Sequence, residues 1–479
     1  MRMHWTLASL ALATTVVITA CGGSTSPAPL AADSDDASPR EVTVPTPAPA
    51  PIPATASDTA MVPVALRTLY VSPTGSDGNS GLSETEAFKT IQRAHDLSQP
   101  GDQVLVMNGT YNFANVTTIK RSGNASAWIS YKAYPGHTPV MNVGTNSWGG
   151  FTVAGASYIL IEGFTLVGSK DSITYAYAYS ERNNLNNPAT SANGILINAQ
   201  YSTPSPHHIV VRKNTVRKFG GGCIGTLYAD YITIEDNDVS ECGWWSPYGN
   251  SGISMYENVD ADGDTGQKMI VRRNRVYSNW NYIPFYAVDA VTDGNGIIVD
   301  DGRHTQMPDP RFTVAYKGRT LIENNIVFNN GGRGIHIYES DNVTVRNNVS
   351  YRNSNHPGIT NGEITPLSVS NVQAYGNVMV PRSDRPANGS SNTSDVVFSY
   401  NIVSGGTGFN TFGGTGNLIN VDPKFIDAAN YDFRLAADSP AVDIVPFGVS
   451  AAYDFVGKPR NANADAGAAA DAGAYEVVK

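Results

Sequence analysis

The chain has 479 residues, of which only 15% are charged, while 46 Gly, 28 Pro and 24 Tyr disfavour a long-helix or coiled-coil protein rich in Ala, Glu, Lys and Leu. Its 32 basic and 42 acidic residues give a formal charge of −10, so no basic face is implied and nucleic acid is not an expected partner. Three cysteines make neither a dense disulfide framework nor, without other ligands, a zinc site.

Residues 1–20 read as an export signal: Arg2 and His4 supply a polar start, and residues 7–20 form an apolar run too short to span a bilayer as a stable helix. The run ends in Ile18-Thr19-Ala20-Cys21, which resembles the lipobox of bacterial lipoproteins, where the cysteine is acylated after cleavage. That resemblance implies lipidation at Cys21 and a bacterial cell-envelope location, anchored by lipid alone. Gly22 rather than Asp after the cysteine favours the outer membrane or cell surface. Residues 21–67 are rich in Ala, Pro, Ser and Thr, including PTPAPAPIPA at 45–54, and are expected to form an unfolded spacer.

From residue 68 to 479 the pattern changes to short β-branched alternations followed by Asn. Examples are HHIVVRKNTV, DYITIEDNDV, KMIVRRNRV, RTLIENNIV and DNVTVRNNVS. The marker residues Asn214, Asn237, Asn274, Asn325, Asn348, Asn377 and Asn401 are spaced by 23, 37, 51, 23, 29 and 24 residues. A base period near 23, built from strands of three to five residues, predicts one turn of a parallel β-helix per repeat. The alternating Val and Ile point inward, and each Asn is expected at a corner in left-handed geometry with its amide stacked on the next. Ile91, Ala94 and Leu97 recur at helical spacing before Pro100-Gly101, which predicts a short amphipathic helix capping the open first turn. The expected body is an all-β, right-handed solenoid, present as a monomer.

The opening LYVSPTGSDGNSG (69–81) and AFKTIQRAHDLSQPGDQVLVMNGTY (87–111) resemble the start of right-handed parallel β-helix proteins of the pectate-lyase-like superfamily, in the style of polysaccharide lyase family nine. The tail DPKFIDAANYDFRLAADSPAVDIV (422–445) through DAGAYE (471–476) resembles the closing segment of the same group, about 420–479. The resemblance implies a carbohydrate-active enzyme with a polysaccharide substrate. In family nine it also implies a lysine base beside an Asp-rich calcium site, an acidic motif with no direct counterpart in this chain.

A second recurring strand reads NGILIN (193–198), SGISMY (251–256), NGIIVD (295–300) and RGIHIY (333–338). Alignment on the glycines puts Ile195, Ile253, Ile297 and Ile335 inward. The outward rows are then Leu196, Ser254, Ile298 and His336, and Asn198, Tyr256, Asp300 and Tyr338, stacked at about 4.8 Å per turn. Glu257, Asp301 and Glu339 lie just past the strand ends, so Glu257, Asp300, Asp301 and Glu339 gather on three adjacent turns beside Arg333 and His336. Insertions flank this strand on both sides, at 175–179, 244–248 and 280–286 before it and at 258–268 and 302–319 after it. The strands thus become the floor of a groove whose aromatic walls suit the C–H faces of sugars, with Trp244, Trp245 and Trp280 as candidate stacking residues and Tyr256 and Tyr338 on the floor.

Carboxylates about 5 Å apart are costly unless protonated or bridged, and calcium, taking six to eight oxygens, is the expected bridge on Glu257, Asp300 and Asp301. The segment ENVDADGDTG (257–266) is calcium-like but lacks the terminal Glu of an EF-hand loop. Cys223 and Cys242 leave two alternatives open, a disulfide or two buried thiols. The leading functional expectation is a lyase cleaving a uronic-acid-containing, anionic glycan, with catalysis by Arg333, Asp300, Asp301, His336 and Glu339 and with Lys268 or Lys317 as alternative bases. A glycoside hydrolase using paired carboxylates and a non-catalytic glycan-binding surface protein are the alternatives. Replacement of Cys21 by Ser is expected to move the protein from the membrane to the soluble fraction with an unchanged circular dichroism spectrum; retention in the membrane fraction would refute the lipid anchor.

Overall fold

The computed structural model describes residues 60–199, 204–306, 309–460 and 469–477. The export signal, Cys21 and most of the spacer lie outside the described residues, among which no helix is long and apolar enough to cross a membrane. The body is a parallel β-helix. Three parallel sheets run its length, two of 11 strands and one of 8 among the described residues.

The corners explain why the chain coils. Each marker Asn is preceded by a residue in the left-handed region: Lys213, Asp236, Arg273, Asn324, Asn347 and Tyr400 have φ between 52° and 59°, and Gly376 has φ 59°. The left-handed residue is therefore the one before the Asn, not the Asn itself as expected. It swings the chain around the corner and turns the Asn side chain into the core. There Oδ1 of each Asn accepts from both the backbone N–H and the Nδ2 of the Asn one turn earlier, at 2.8–3.1 Å, from Asn214 through Asn237, Asn274, Asn325, Asn348, Asn377 and Asn401 to Asn417. Each Nδ2 also donates to a strand carbonyl of the preceding turn, as Asn325 does to Val271 at 2.9 Å. A second buried column, Asn279, Asn330 and Asn353, ends on the Glu363 carboxylate.

The first sheet carries a column of alternating charge. Lys132, Glu162, Arg212, Glu235, Arg272, Glu323 and Arg346 are successive neighbours in register. The end of the spacer lies on this column: the Ala60 N–H donates to Glu235 and its carbonyl accepts from Arg212 at 3.0 Å. Ala60, which falls in the expected spacer, is thus bonded to this sheet.

The capping helix spans Ile91–Leu97, with the Thr90 hydroxyl accepting from the Arg93 N–H at 3.1 Å. Ile91 and Ala94 are buried as expected, but Leu97 is 39% exposed and His95 takes its place, 2.6 Å from the Tyr131 hydroxyl. At the other end Phe409 and Phe412 pack on Phe398 and close the core. The tail beyond 420 does something else. Tyr431 and Phe433 lie on Phe328 and Tyr351 of the second sheet, and buried Arg460 donates to Asn324 and to the Gly473 carbonyl. The closing segment therefore shields a side of the solenoid as well as following its end.

Cys223 and Cys242 form a disulfide, with Cα atoms 5.5 Å apart, at the corner between the second and third sheets. The two stand at different distances from their marker asparagines because Cys223 ends the connection 218–223, just before its next strand, whereas Cys242 lies near the start of the longer connection 241–252.

The third sheet positions the site. Its strands, in chain order and in spatial order, are β1 (Thr117–Ile119), β2 (Gly149–Ala154), β3 (Asn193–Asn198), β4 (Ile224–Leu227), β5 (Ile253–Tyr256), β6 (Ile297–Asp300), β7 (Ile335–Tyr338) and β8 (Ile364–Leu367). Ile253, Ile297 and Ile335 face the core, with Met255, Val299 and Ile337 on the same side. Replacing Asn325 by Ala removes five hydrogen bonds from the middle of the ladder and leaves buried groups unpaired. At about 1–3 kcal/mol per unsatisfied group, the expected loss is at least ~3 kcal/mol. A denaturant midpoint within error of the wild type would show that the ladder is not what holds the turns.

Candidate active site

The floor is set by register. Tyr256, Asp300 and Tyr338 are direct neighbours across β5, β6 and β7, as are Ser254, Ile298 and His336. Immediately after each strand the chain turns through a left-handed residue, Glu257 (φ 48°), Asp301 (φ 46°) and Glu339 (φ 48°). The expected gathering of these carboxylates on three adjacent turns is met. Their surroundings differ, and so do their capabilities.

Asp301 is fully buried and committed to the loop that follows it. Its Oδ1 accepts from the Thr305 N–H at 2.7 Å and the Thr305 hydroxyl at 3.1 Å, and its Oδ2 accepts from the Gln306 N–H at 2.8 Å. The Thr305 hydroxyl is also 3.0 Å from the Glu339 carboxylate, so Glu339 helps to hold the same loop. Asp300 points to the floor. Its Oδ1 accepts from the Gln306 side-chain amide at 2.6 Å, and burial first, then the charge of Asp293, pushes its carboxyl well above the usual range. Glu257 is buried, and the Tyr228 hydroxyl is the hydrogen-bonding group beside its carboxylate. Burial pushes it up to about 7, the Tyr228 hydroxyl opposes the shift, and the charges of Asp301 and Asp309 add to it.

His336 is buried, and its Nδ1 lies 2.8 Å from the Thr365 carbonyl. A carbonyl only accepts, so Nδ1 carries the proton and Nε2 keeps its lone pair. Burial first, then the charge of Arg333, holds the imidazole well below its ordinary pKa, so it is neutral. Its ring stacks on Tyr338 at 5.7 Å between centroids. Arg333 donates from Nη1 to the Thr292 carbonyl at 2.8 Å, while its Nε is buried without a partner. Burial lowers its pKa and the charge of Asp293 opposes that shift. Asp293 was not singled out from sequence, where it reads as a turn residue in TDGNG. Its carboxylate accepts from Thr292 and Asn295, and burial raises it.

The carboxylates expected to bind calcium do not fit a common ion. Asp301 spends both oxygens on its loop, Asp300 is engaged by Gln306, and among the described residues no group of three or more His, Cys, Asp or Glu is arranged to hold a metal. In the calcium-like loop a protein cation sits among the acids: Lys268 Nζ is 2.6 Å from Asp230, 3.0 Å from Asp262 and 3.4 Å from Asp260. Burial pulls this ammonium down, but its bonds to Asp230 and Asp262 outweigh burial and hold it well above its ordinary pKa. Lys268 is therefore a fixed charge and not a base. Lys317 is exposed, its backbone N–H bound to Asp260 at 3.0 Å, beside a cavity of about 460 Å³ that Arg311 and Phe312 also line.

The tryptophans mostly pack the wall on itself. Trp245 is 5% exposed and its indole N–H donates to the Lys170 carbonyl, so the expected sugar contact there is not met. Trp244 lies 3.6 Å from the Lys170 ammonium and Trp280 stacks on Tyr282 at 5.1 Å.

With this geometry in hand, comparison with known proteins bears on the fold. Residues 69–220 match the Pel9A-like, right-handed β-helix region. The match ends before β4, so it covers the early turns and not the floor at β5–β7. YwoF of Bacillus subtilis (strain 168) is 26% identical over 459 residues, 79% of this chain and 92% of that protein. The pectate lyase PEL9 of Emericella nidulans is 33% identical over 84 residues, 17% of this chain and 20% of that protein. The solved pectate lyase Pel9A covers 87% of this chain and 98% of its own length, at 16% identity and a TM-score of 0.48.

A carboxyl raised by burial stabilises the fold below its unfolded pKa and loses that contribution as pH rises through its folded value. The melting temperature is therefore expected to fall as pH rises from about 4.5 to above about 7, and Glu257→Gln should reduce the fall. Identical pH profiles for variant and wild type would mean that Glu257 is charged and paired in solution.

Proposed function

We propose that the protein is an exported, lipid-anchored polysaccharide lyase that cleaves a uronic-acid-containing glycan by β-elimination. The observation that carries this reading is the unpartnered, buried Nε of Arg333 beside His336, whose Nε2 keeps its lone pair, and Asp300, whose carboxyl burial holds well above the usual range. A buried guanidinium N–H without an acceptor is costly, and a substrate carboxylate is the acceptor that would satisfy it. Neutralised by Arg333, the uronate loses its C-5 proton more readily. His336 Nε2 takes that proton, the C-4 to O-4 bond breaks as the C-4 to C-5 double bond forms, and Asp300 delivers a proton to the departing O-4. Asp300 and His336 lie on one face of adjacent strands, two residues apart along the strand, which places their Cα atoms about 8 Å apart, enough to straddle one sugar ring.

The raised Asp300 would also serve a glycoside hydrolase as its acid, with Glu339 as the second carboxylate. The two readings differ in product. Incubation with pectate, alginate, glycosaminoglycans and bacterial exopolysaccharides is expected to yield an ultraviolet-absorbing unsaturated uronate end. New reducing ends without that absorbance would indicate the hydrolase, and binding without turnover would indicate a surface binder.

Asp300→Asn should lower turnover by at least ~10²-fold, about 2.7 kcal/mol of transition-state stabilisation. Because Asp300 must carry a proton, wild-type activity should fall as pH rises through its raised pKa, whereas His336 stays neutral well into acid. Near-normal activity in Asp300→Asn would move the chemistry off this floor. Turnover should survive chelation; loss restored by calcium would place a cation in the site.

A further inference from the structure

The floor is lopsided. With chemistry on β6 and β7, the third sheet extends five strands to one side, β5 through β1, and one strand, β8, to the other. The wall along the longer side also holds four of the five most exposed aromatic side chains among the described residues. Among the described residues the aromatic side chains most open to solvent are Trp148 (42%), Tyr177 (44%), Tyr179 (41%), Tyr248 (40%) and Phe447 (40%). The first four all stand in segments that lead into this sheet: Trp148 directly before β2, Tyr177 and Tyr179 in the short helix Tyr175–Ser180 ahead of β3, and Tyr248 ahead of β5.

The three tyrosines are held in place while exposed. The Tyr177 hydroxyl accepts from Asn187 at 3.1 Å. The Arg182 guanidinium sits 4.3 Å from the Tyr179 ring centroid. The Tyr248 hydroxyl donates to the Leu185 carbonyl at 2.6 Å, and its ring meets Tyr286 edge-on at 5.8 Å. Rings fixed by polar contacts with a face left in water lose little entropy on binding and present the flat apolar surface that pyranose C–H faces stack against. Trp244, Trp245 and Trp280 of the same wall are spent on internal packing, so this outer row is what remains for a ligand.

We propose that Trp148, Tyr177, Tyr179 and Tyr248 form a carbohydrate platform that grips the long arm of the glycan on the N-terminal side of the reacting sugar. The substrate then lies along the solenoid axis across the strands. From β2 to β5 is three strand spacings, about 14 Å, so the platform serves about three sugars at one per turn. Binding on the β8 side is limited to one strand, and the scissile bond of a short oligosaccharide should therefore sit off its centre. The cleavage pattern rests on the lyase reading of β6 and β7; the platform does not.

Two measurements separate these. Retardation of the full-length protein in gels containing polygalacturonate or alginate reads binding without turnover. The Tyr177→Ala, Tyr179→Ala, Tyr248→Ala triple variant should lose it, and Phe447→Ala should keep it. Tyr248→Leu, which keeps bulk but removes the ring, guards against a triple variant that does not fold and should weaken retardation on its own. Hexamers prepared from the polymer that is turned over best should be cut off-centre. In Tyr248→Leu, KM for the hexamer should rise about tenfold with kcat within about twofold of wild type. Unchanged retardation in the variants would overturn the platform; hexamers cut evenly at the middle would overturn its placement on one side of the reacting sugar. Tyrosine-dependent retardation with no turnover on any polymer would leave the platform standing and remove the lyase.

Discussion

The corner before each marker asparagine is the constraint from which the rest follows. A residue held at positive φ costs ~1–2 kcal/mol and bends the chain; the asparagine after it turns inward and is tied to the next turn by two hydrogen bonds to one oxygen. Because every turn is pinned at that point, insertions of very different length in the other loops do not disturb the register. Asn274 and Asn325 stay bonded although 51 residues separate them. Identical positions therefore stack at the strand spacing along the whole body, and each column must settle its own electrostatics.

Two columns settle them in opposite ways. On the first sheet the charges alternate from Lys132 to Arg346, so each carboxylate has a guanidinium or ammonium on the adjoining strand and opposite charges directly in register attract. Past the third sheet Glu257, Asp301 and Glu339 follow one another with the same sign. Asp301 is stabilised by backbone N–H groups and Thr305, Glu339 shares that Thr305 hydroxyl, and Glu257 rises toward neutrality. Asp300, one residue before Asp301, is shifted in the same direction as Glu257, by burial first and then by the charge of Asp293. Like charge brought together by register is thus dissipated by three different routes, and only protonation leaves a group able to donate a proton to a substrate.

Cations are distributed by the same logic. Lys268 is enclosed by three carboxylates, and the Lys170 ammonium lies over Trp244 and is paired with Asp171. Arg333 differs: its guanidinium donates to a backbone carbonyl, and its Nε has no acceptor. Arg217 Nε is likewise buried without an acceptor, but on the second sheet; on the groove floor the open Arg333 donor supports the proposed preference for an anion.

The period of the asparagines, the inward Val and Ile, the capping segment and the rows of Tyr256, Asp300 and Tyr338 were legible in the sequence, because strand alternation and a near-constant repeat fix which side chains share a face. The sequence was also sufficient to bring Glu257, Asp301 and Glu339 to adjacent turns. It left open whether Cys223 and Cys242 join, placed Leu97 under the cap, and treated Trp245 and a sugar-facing ring as equivalent. Only the tertiary structure decided those points, and it alone distinguished the committed Asp301 from Asp300 with its raised carboxyl, placed Lys268 among the acids of the calcium-like loop and left Tyr177 and Tyr248 facing water. Periodicity determines direction, inward or outward, one residue at a time. What a side chain meets when it points outward depends on loops whose lengths do not repeat, and that is a property of the folded chain.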